Sequence, residues 1–180
     1  INNVVDVSTI DAGKFEVVRK SVDLVPLVAR CCEAMQAPAD EREITLEWTS
    51  SSEQMIIQGD ADKLGEALTH LLRNAISYNR AQGHVHVTLG RLQHDVRIWV
   101  RDSGVGIDPD EQEVIFERMS RGRSAEAGET DARGMGLGLY LTQVIVREHG
   151  GNIRVEDSSM WGTTIEMCLP VDDEISVIHD

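Results

Sequence analysis

Seven glycines lie between residues 102 and 138, and they separate a strand pattern from a helix pattern. Before them, residues 85–92 and 96–100 alternate apolar and polar side chains around a short polar link, which predicts a β-hairpin. After them, residues 139–149 have apolar side chains at helical spacing and end at a Gly-Gly pair, which predicts a helix. Glycines between a strand end and a helix start leave backbone N–H groups able to face a ligand.

Residues 61–79 form the clearest helix pattern in the chain, and its two faces differ. The apolar stripe consists of Leu64, Leu68, Leu71, Ala75 and Tyr78. The opposite stripe consists of Glu66, His70, Asn74 and Ser77. Because an amphipathic helix turns its apolar stripe to the core, the polar stripe is the candidate face for a ligand.

The other elements are predicted from periodicity and from turn residues. Helices are expected at 1–12, with Gly13 as the stop, at 22–37 and at 109–118. Strands are expected at 44–49 and 55–58, and a closing hairpin at 152–156 and 163–169 with residues 157–162 as its turn.

Composition excludes several classes of protein. With 180 residues, 41% hydrophobic and 27% charged, the chain is expected to fold as one globular domain. A formal net charge of -14 argues against nucleic-acid binding.

The absence of a signal segment or of a long apolar run predicts no membrane contact, hence a cytoplasmic protein or the cytosolic part of a membrane-bound sensor. Three cysteines argue against a disulfide framework. Ile1 in place of Met indicates a piece of a longer polypeptide.

Three separated features would form one nucleotide pocket if they met in space. The first is the segment DSGVG at 102–106, a carboxylate at a strand end followed by glycines. The second is GMGLGL at 134–139, which leads into a helix whose first N–H groups can bind an anion. The third is Asn74, a neutral oxygen ligand suited to Mg²⁺.

The order and spacing of these segments resemble the ATP-binding catalytic domain of sensor histidine kinases. That superfamily also holds gyrase, the ninety-kilodalton heat-shock chaperones and MutL. Residues 71–75, 102–106, 115–118 and 134–139 are similar to the N box, the first glycine box, the F box and the second glycine box of those kinases. Residues 4–14 look like the end of their dimerisation helix.

The resemblance implies a role for each matching residue. Asp102 accepts a hydrogen bond from the adenine amino group, and Asn74 coordinates Mg²⁺ between the phosphates of ATP. Arg118 or Arg121 reaches the γ-phosphate, and Arg118 joins Asn74 as a predicted catalytic residue. The other residues predicted to bind the nucleotide are Gly104, Gly106, Gly134, Gly136, Leu137, Gly138, Ser77 and Tyr78.

The resemblance also implies the fold and the domain organisation. The expected fold is a two-layer α/β sandwich, in which a mixed, mostly antiparallel sheet carries three helices on one face. Residues 1–14 are expected to end the dimerisation helix, 15–172 to form the ATP-binding catalytic domain, and 173–180 to be a flexible tail.

The implied activity is that of a protein-histidine kinase in two-component signalling. The γ-phosphoryl of ATP passes to a histidine that lies upstream of Ile1, since no histidine of this chain has the expected acceptor context. The expected partners are the chain's own upstream dimerisation helices, a second copy in a homodimer, and a response regulator or phosphotransfer protein.

Four residues depart from the kinase pattern. His70 stands where the kinases usually have Asn and the hydrolytic relatives have Glu, and Ser77 stands where Lys or Arg is common. Met119 replaces the F-box Phe, and Met135 replaces a small hydroxyl residue. Two alternatives therefore stay open, a degenerate kinase module that acts by docking a partner and a hydrolytic ATPase of the same superfamily.

Overall fold

The computed structural model describes residues 9–10, 13–118 and 137–171. Its strands are β1 (Lys20–Asp23), β2 (Thr45–Ser50), β3 (Ile56–Gly59), β4 (His84–Leu92), β5 (Asp95–Asp102), β6 (Asn152–Ser159) and β7 (Gly162–Pro170). Its helices are α1 (Leu24–Ala34), α2 (Gln36–Asp40), α3 (Ala61–Ser77) and α4 (Gly138–Glu148).

Five strands form one mixed sheet in the order β2-β4-β5-β7-β6. Only β2 and β4 pair in parallel, and the three other pairs are antiparallel. The register places Asp102, at the end of β5, opposite Val85 on β4 and Thr163 on β7. The predicted mixed, mostly antiparallel sheet is therefore confirmed.

Helices α1, α3 and α4 pack on one face of this sheet, which makes the domain a two-layer sandwich as predicted. Strand β5 shows why, because Val96, Ile98 and Val100 are buried in the core while the residues between them are more exposed. On the other face, Glu166 of β7 accepts hydrogen bonds from Arg97 at 3.1 Å and from Arg154 at 3.0 Å. A charged network thus lies on the sheet face opposite to the described helices.

The predicted helix at 22–37 is wrong at both ends. Val22 belongs to β1, an unpredicted strand that pairs with β3 in a separate two-stranded sheet. Helix α1 begins at Leu24 because Asp23 caps it, accepting the Val25 N–H at 3.1 Å. Helix α1 ends at Ala34, and α2 runs from Gln36 to Asp40 with Pro38 in its first turn, where a helix tolerates proline.

Two other predictions need correction. Residues 109–118 form two 3₁₀ turns, Pro109–Glu111 and Val114–Phe116, in place of one helix. The closing hairpin turns within Met160 and Trp161 alone, so β6 runs to Ser159. In both places the ends of the elements fall in short, mostly polar runs without a periodic pattern, so the sequence does not define where the elements end.

The N-terminal segment is described only near its end. Thr9 and Ile10 are helical, and Gly13 adopts a φ of 64° with its N–H donated to the Ile10 carbonyl at 2.9 Å. The rest of the predicted helix at 1–12 and the tail at 173–180 lie outside the described residues. Among those described, no helix reaches the length and hydrophobicity that crossing a lipid bilayer demands.

Candidate nucleotide-binding site

Asp102 lies at the end of β5, and its side chain is held by two backbone groups. Its Oδ1 accepts the Gly104 N–H at 2.8 Å and the Thr163 N–H at 3.2 Å. Among the described residues its Oδ2 has no hydrogen-bond partner. One carboxylate oxygen is therefore fixed by the fold, and the other is available to accept a hydrogen bond from a ligand.

Burial raises the pKa of the Asp102 carboxyl to about 6, and the hydrogen bonds from Gly104 and Thr163 oppose this rise. The carboxylate is then ionised at neutral pH and protonated at mildly acidic pH. A buried, ionised acceptor is suited to an amino group and repels a carbonyl oxygen. Thr163 was not predicted from the sequence. Its position opposite Asp102 in the pairing of β5 with β7 is the signal that identifies it.

The first glycine segment packs tightly against two other parts of the chain. Val105 donates its N–H to the Tyr78 carbonyl at 3.3 Å, and a side chain on Gly104 would collide with that same carbonyl oxygen. Gly106 has a φ of 78° and lies against the Ser159 carbonyl. These glycines therefore allow close approach between backbone segments of the protein itself.

Asn79 ties the end of α3 to this glycine segment, and sequence reasoning missed it. Its Nδ2 donates to the His84 carbonyl at 3.0 Å, and its Oδ1 accepts from the Ser103 hydroxyl at 3.1 Å and from the Arg80 N–H at 2.9 Å. The side chain is buried, so each of these bonds substitutes for lost water. Asn79 thereby fixes Ser103 beside Asp102.

Helix α3 carries the polar stripe to the site. Asp60 caps its start by accepting the N–H groups of Asp62 and Lys63. Asn74, Ser77 and Tyr78 are half-buried at the end of the helix nearest the glycine segment. The Ser77 carbonyl accepts a hydrogen bond from Arg42 Nη2 at 3.2 Å, which satisfies a carbonyl of the last turn.

His70 is not on a solvated face, because it is only 6% exposed. Helix α4 covers it, and a Cβ added to Gly138 would lie 3.2 Å from His70 Nδ1. The Thr142 hydroxyl, 2.8 Å from the Gly138 carbonyl and 3.4 Å from the Ala67 carbonyl, helps to hold the two helices together. The polar stripe of α3 thus faces the start of α4.

No side chain among the described residues caps the start of α4. Leu137 occupies the capping position, and its apolar side chain packs with Leu141 and Ile10 in place of accepting a hydrogen bond. The first N–H groups of the helix are left for a ligand or for water, as expected of an anion site.

Not every predicted residue is placed. Arg118 is exposed just after the second 3₁₀ turn, while Ile115 and Phe116 before it are buried. Gly134 and Gly136 lie outside the described residues, as do Met119 and Met135. In the described part of the chain, Gly104 lies against Tyr78 after the end of α3, and the start of α4 lies against His70, about two turns earlier on the same helix.

A two-layer sandwich with this arrangement of carboxylate, glycines and helix start defines an ATP-binding domain of the gyrase and histidine kinase type. The family model for the histidine kinase-, DNA gyrase B-, and HSP90-like ATPases matches residues 59–173, and the chain belongs to this family.

Individual relatives are sensor kinases. The chain is 35% identical over 175 residues to the signal transduction histidine-protein kinase/phosphatase MprB of Mycolicibacterium paratuberculosis, which covers 94% of this chain and 32% of that protein. The solved structure of full-length ShkA in complex with AMPPNP has 26% identity and a TM-score of 0.81, and covers 94% of this chain and 34% of ShkA. The chain corresponds to the catalytic ATP-binding domain of such kinases.

A third likeness concerns the fold alone. The histidine kinase ThkA, solved in complex with the response regulator protein TrrA, has 21% identity and a TM-score of 0.75, and covers 97% of this chain and 48% of ThkA. The chain spans about a third of the length of the curated relatives that it matches.

Proposed function

We propose that this domain binds ATP with Mg²⁺ and transfers the γ-phosphoryl group to a histidine on an upstream dimerisation helix. The observation that carries the proposal is the state of Asp102, whose Oδ1 is held by Gly104 and Thr163 while its Oδ2 has no partner among the described residues. A half-buried carboxylate with unused acceptor capacity fits the exocyclic amino group of adenine.

The start of α4 fits the phosphates. Leu137 and Gly138 offer N–H groups at an uncapped helix end, where the helix dipole favours an anion. Gly134 and Gly136 belong to the same proposed segment. Ser77 and Tyr78 line the site from the end of α3.

Asn74 fits a metal ligand, because its amide oxygen is a hard donor on the half-buried stripe of α3 that faces the start of α4. Mg²⁺, when bound, neutralises charge on the phosphates. Asn74 would hold that ion, and Arg118 would supply positive charge near the γ-phosphate. The chain's own contribution is positioning and electrostatic stabilisation.

The proposed partners follow from the same interpretation. The Ile10 side chain at the end of the N-terminal helix packs against Leu137, so a dimerisation helix that continues upstream would be joined to the phosphate end of the site. A homodimer and a response regulator or phosphotransfer protein complete the proposed assembly. The complex of ThkA with TrrA supports the regulator as a partner.

Phosphoryl transfer tests the proposal. The 180-residue chain is incubated with radiolabelled Mg-ATP, alone and with a separate fragment that contains the upstream helix pair. We expect acid-labile label on the helix pair only, and loss of that label with Asp102→Asn. Label on the 180-residue chain alone would contradict the upstream acceptor, and ATP binding without transfer to the helix pair would favour a degenerate module that docks a partner.

A further inference from the structure

The two residues that turn the closing hairpin, Met160 and Trp161, have highly exposed apolar side chains. They are 67% and 73% exposed, more than any other large apolar side chain among the described residues. Two-residue hairpin turns usually hold Asn, Asp or Gly, so the backbone of this turn does not require Met or Trp. The fold therefore gives no reason for the two side chains, and a surface that another molecule covers does.

A third exposed apolar side chain and an arginine lie beside this turn. Val105, which is 46% exposed, belongs to the first glycine segment, and a Cβ added to the next residue, Gly106, would lie 3.5 Å from the backbone N of Met160. Arg80, in the loop after α3, donates a hydrogen bond from Nη2 to the Met160 carbonyl. Three segments of the chain thus meet at this surface, and we call Arg80, Val105, Met160 and Trp161 the hairpin patch.

Arg80 also restrains the Trp161 ring. Its guanidinium carbon lies 5.7 Å from the ring centroid in a cation–π contact. Because the ring is held before any partner binds, less side-chain entropy is lost on association. Trp, Arg and Met are enriched at the centres of protein interfaces, and Trp and Arg are common hot-spot residues. The hairpin patch therefore has the composition and the preorganisation of a binding hot spot.

The charge around the hairpin patch is negative. The chain segments 104–110 and 156–162 contain no lysine or arginine. Their exposed acidic side chains are Asp108, Asp110, Glu156 and Asp157. The Ile107 N–H donates to Ser158 Oγ at 2.8 Å, which joins the two acidic segments beside the turn. With a formal net charge of -14 for the whole chain, this surface attracts a positively charged partner and repels a second copy of itself.

We infer that the hairpin patch docks a segment of a partner protein that carries both apolar and basic side chains. Trp161 is the apolar anchor of this surface, and the surrounding carboxylates pair with lysine or arginine at its rim. The inference is independent of the proposed function, because none of the four side chains of the patch is assigned to the proposed ATP site.

The test is a calorimetric titration of the 180-residue chain with a synthetic amphipathic peptide that has leucine on one face and lysine on the other. We expect saturable binding that Trp161→Ser weakens by at least about 30-fold, as truncation of a hot-spot residue does. The same peptide with glutamate in place of lysine is expected not to bind. Equal affinity of wild type and Trp161→Ser for the lysine peptide would overturn the inference.

Leu92→Ser is the matched control. It removes an exposed apolar side chain at the opposite end of the sheet, where β4 turns into β5, and is expected to leave peptide affinity unchanged. An equal loss of affinity in Leu92→Ser and Trp161→Ser would overturn the inference, because binding would then not depend on the hairpin patch.

Two further measurements separate docking from a structural role and test the charge. Trp161→Ser is expected to leave the Tm and the ATP affinity unchanged, since the side chain is exposed, and a fall in Tm of several degrees would overturn the inference. The double variant Asp108→Asn, Asp110→Asn is expected to weaken peptide binding and to reduce its salt dependence. Unchanged affinity and salt dependence in the double variant would overturn the basic partner.

The same Trp161→Ser variant distinguishes two other occupants. A wild-type dimer in sedimentation equilibrium that Trp161→Ser dissociates would overturn the inference in favour of a second copy. Binding of wild type, and not of Trp161→Ser, to phosphatidylcholine vesicles would overturn it in favour of a lipid surface. Neither result affects the proposed function, which fails separately if the wild-type chain does not bind ATP.

Discussion

Thr163 donates its backbone N–H to Asp102 Oδ1 at 3.2 Å, and this bond joins the first residues of β7 to the last residue of β5. Gly104, in the glycine segment that follows β5, donates to the same oxygen at 2.8 Å. The orientation of the carboxylate is therefore set by the sheet and by the glycine segment. The remaining oxygen is positioned before any ligand arrives, which reduces the ordering cost of binding.

ATP affinity is expected to fall as the pH drops through 6. The pKa of Asp102 is raised to about 6 by burial, so the carboxylate that we propose accepts from adenine is lost by protonation in this range. Calorimetric titrations between about pH 5 and about pH 8 measure this dependence. Asp102→Asn is expected to bind ATP more weakly and to lose the part of the pH dependence that lies near 6.

The raised pKa of Asp102 is expected to make the nucleotide-free domain more stable as the pH falls, whereas ATP affinity falls. Because the folded-state pKa lies above its usual value of 3.8, the folded protein binds more protons than the unfolded chain between 3.8 and about 6. The Asp102 contribution to the free energy of unfolding therefore rises as the pH falls through this window. Asp102→Asn removes that contribution and serves as the reference. If the free energy of unfolding of the wild type falls on acidification relative to that of Asp102→Asn, the raised pKa of Asp102 is contradicted.

Gly104→Ala is expected to destabilise the domain by about 1–3 kcal/mol and to weaken ATP binding, because overpacking against backbone forces a shift. The added methyl group would meet the Tyr78 carbonyl and, at 2.8 Å, Asp102 Oδ1. Chemical denaturation and nucleotide titration measure the two effects.

Gly65→Ala in α3 is the matched control for this prediction. Its methyl group would lie 3.4 Å from Leu27 and 3.8 Å from Cys31, which are ordinary contacts. Alanine in a helix is expected to be neutral or to gain about 0.5–1 kcal/mol. Equal stability changes for Gly104→Ala and Gly65→Ala would contradict the close packing at the site.

Asn79→Ala is expected to lower the free energy of unfolding by about 1–3 kcal/mol, because it removes the three hydrogen bonds of a buried side chain to His84, Ser103 and Arg80. It is also expected to weaken ATP binding, since Ser103 lies next to Asp102. Urea denaturation with and without ATP separates the two effects. Gln54→Ala removes an exposed amide side chain before β3 and is the surface control, for which no change in either measurement is expected.

The main helix and the sheet strands were predicted well from the sequence because their periodic patterns are long. Residues 61–79 have a continuous apolar stripe, and the observed helix runs from Ala61 to Ser77. Asp102 was found from its position between a strand and glycines, and its side chain does lie at the end of β5. Patterns that depend on neighbouring residues alone were therefore sufficient for these features.

Features that depend on distant parts of the chain were missed. Strand β1 has four residues and is defined by its pairing with β3, more than thirty residues away. Asn79 and Thr163 act through contacts that only the sheet register reveals. The burial of His70 depends on the docking of α4, so a helix pattern by itself placed it on a polar face.

A calorimetric titration of the 180-residue chain with Mg-ATP and with Mg-GTP tests whether Asp102 reads adenine in an ATP site. We expect saturable ATP binding at least about tenfold tighter than GTP binding, since the ionised carboxylate accepts from an amino group and repels the guanine carbonyl. Asp102→Asn, with its fold verified by circular dichroism, is expected to lose most of this preference. Equal affinities for ATP and GTP, or unchanged ATP affinity in Asp102→Asn, would contradict the claim.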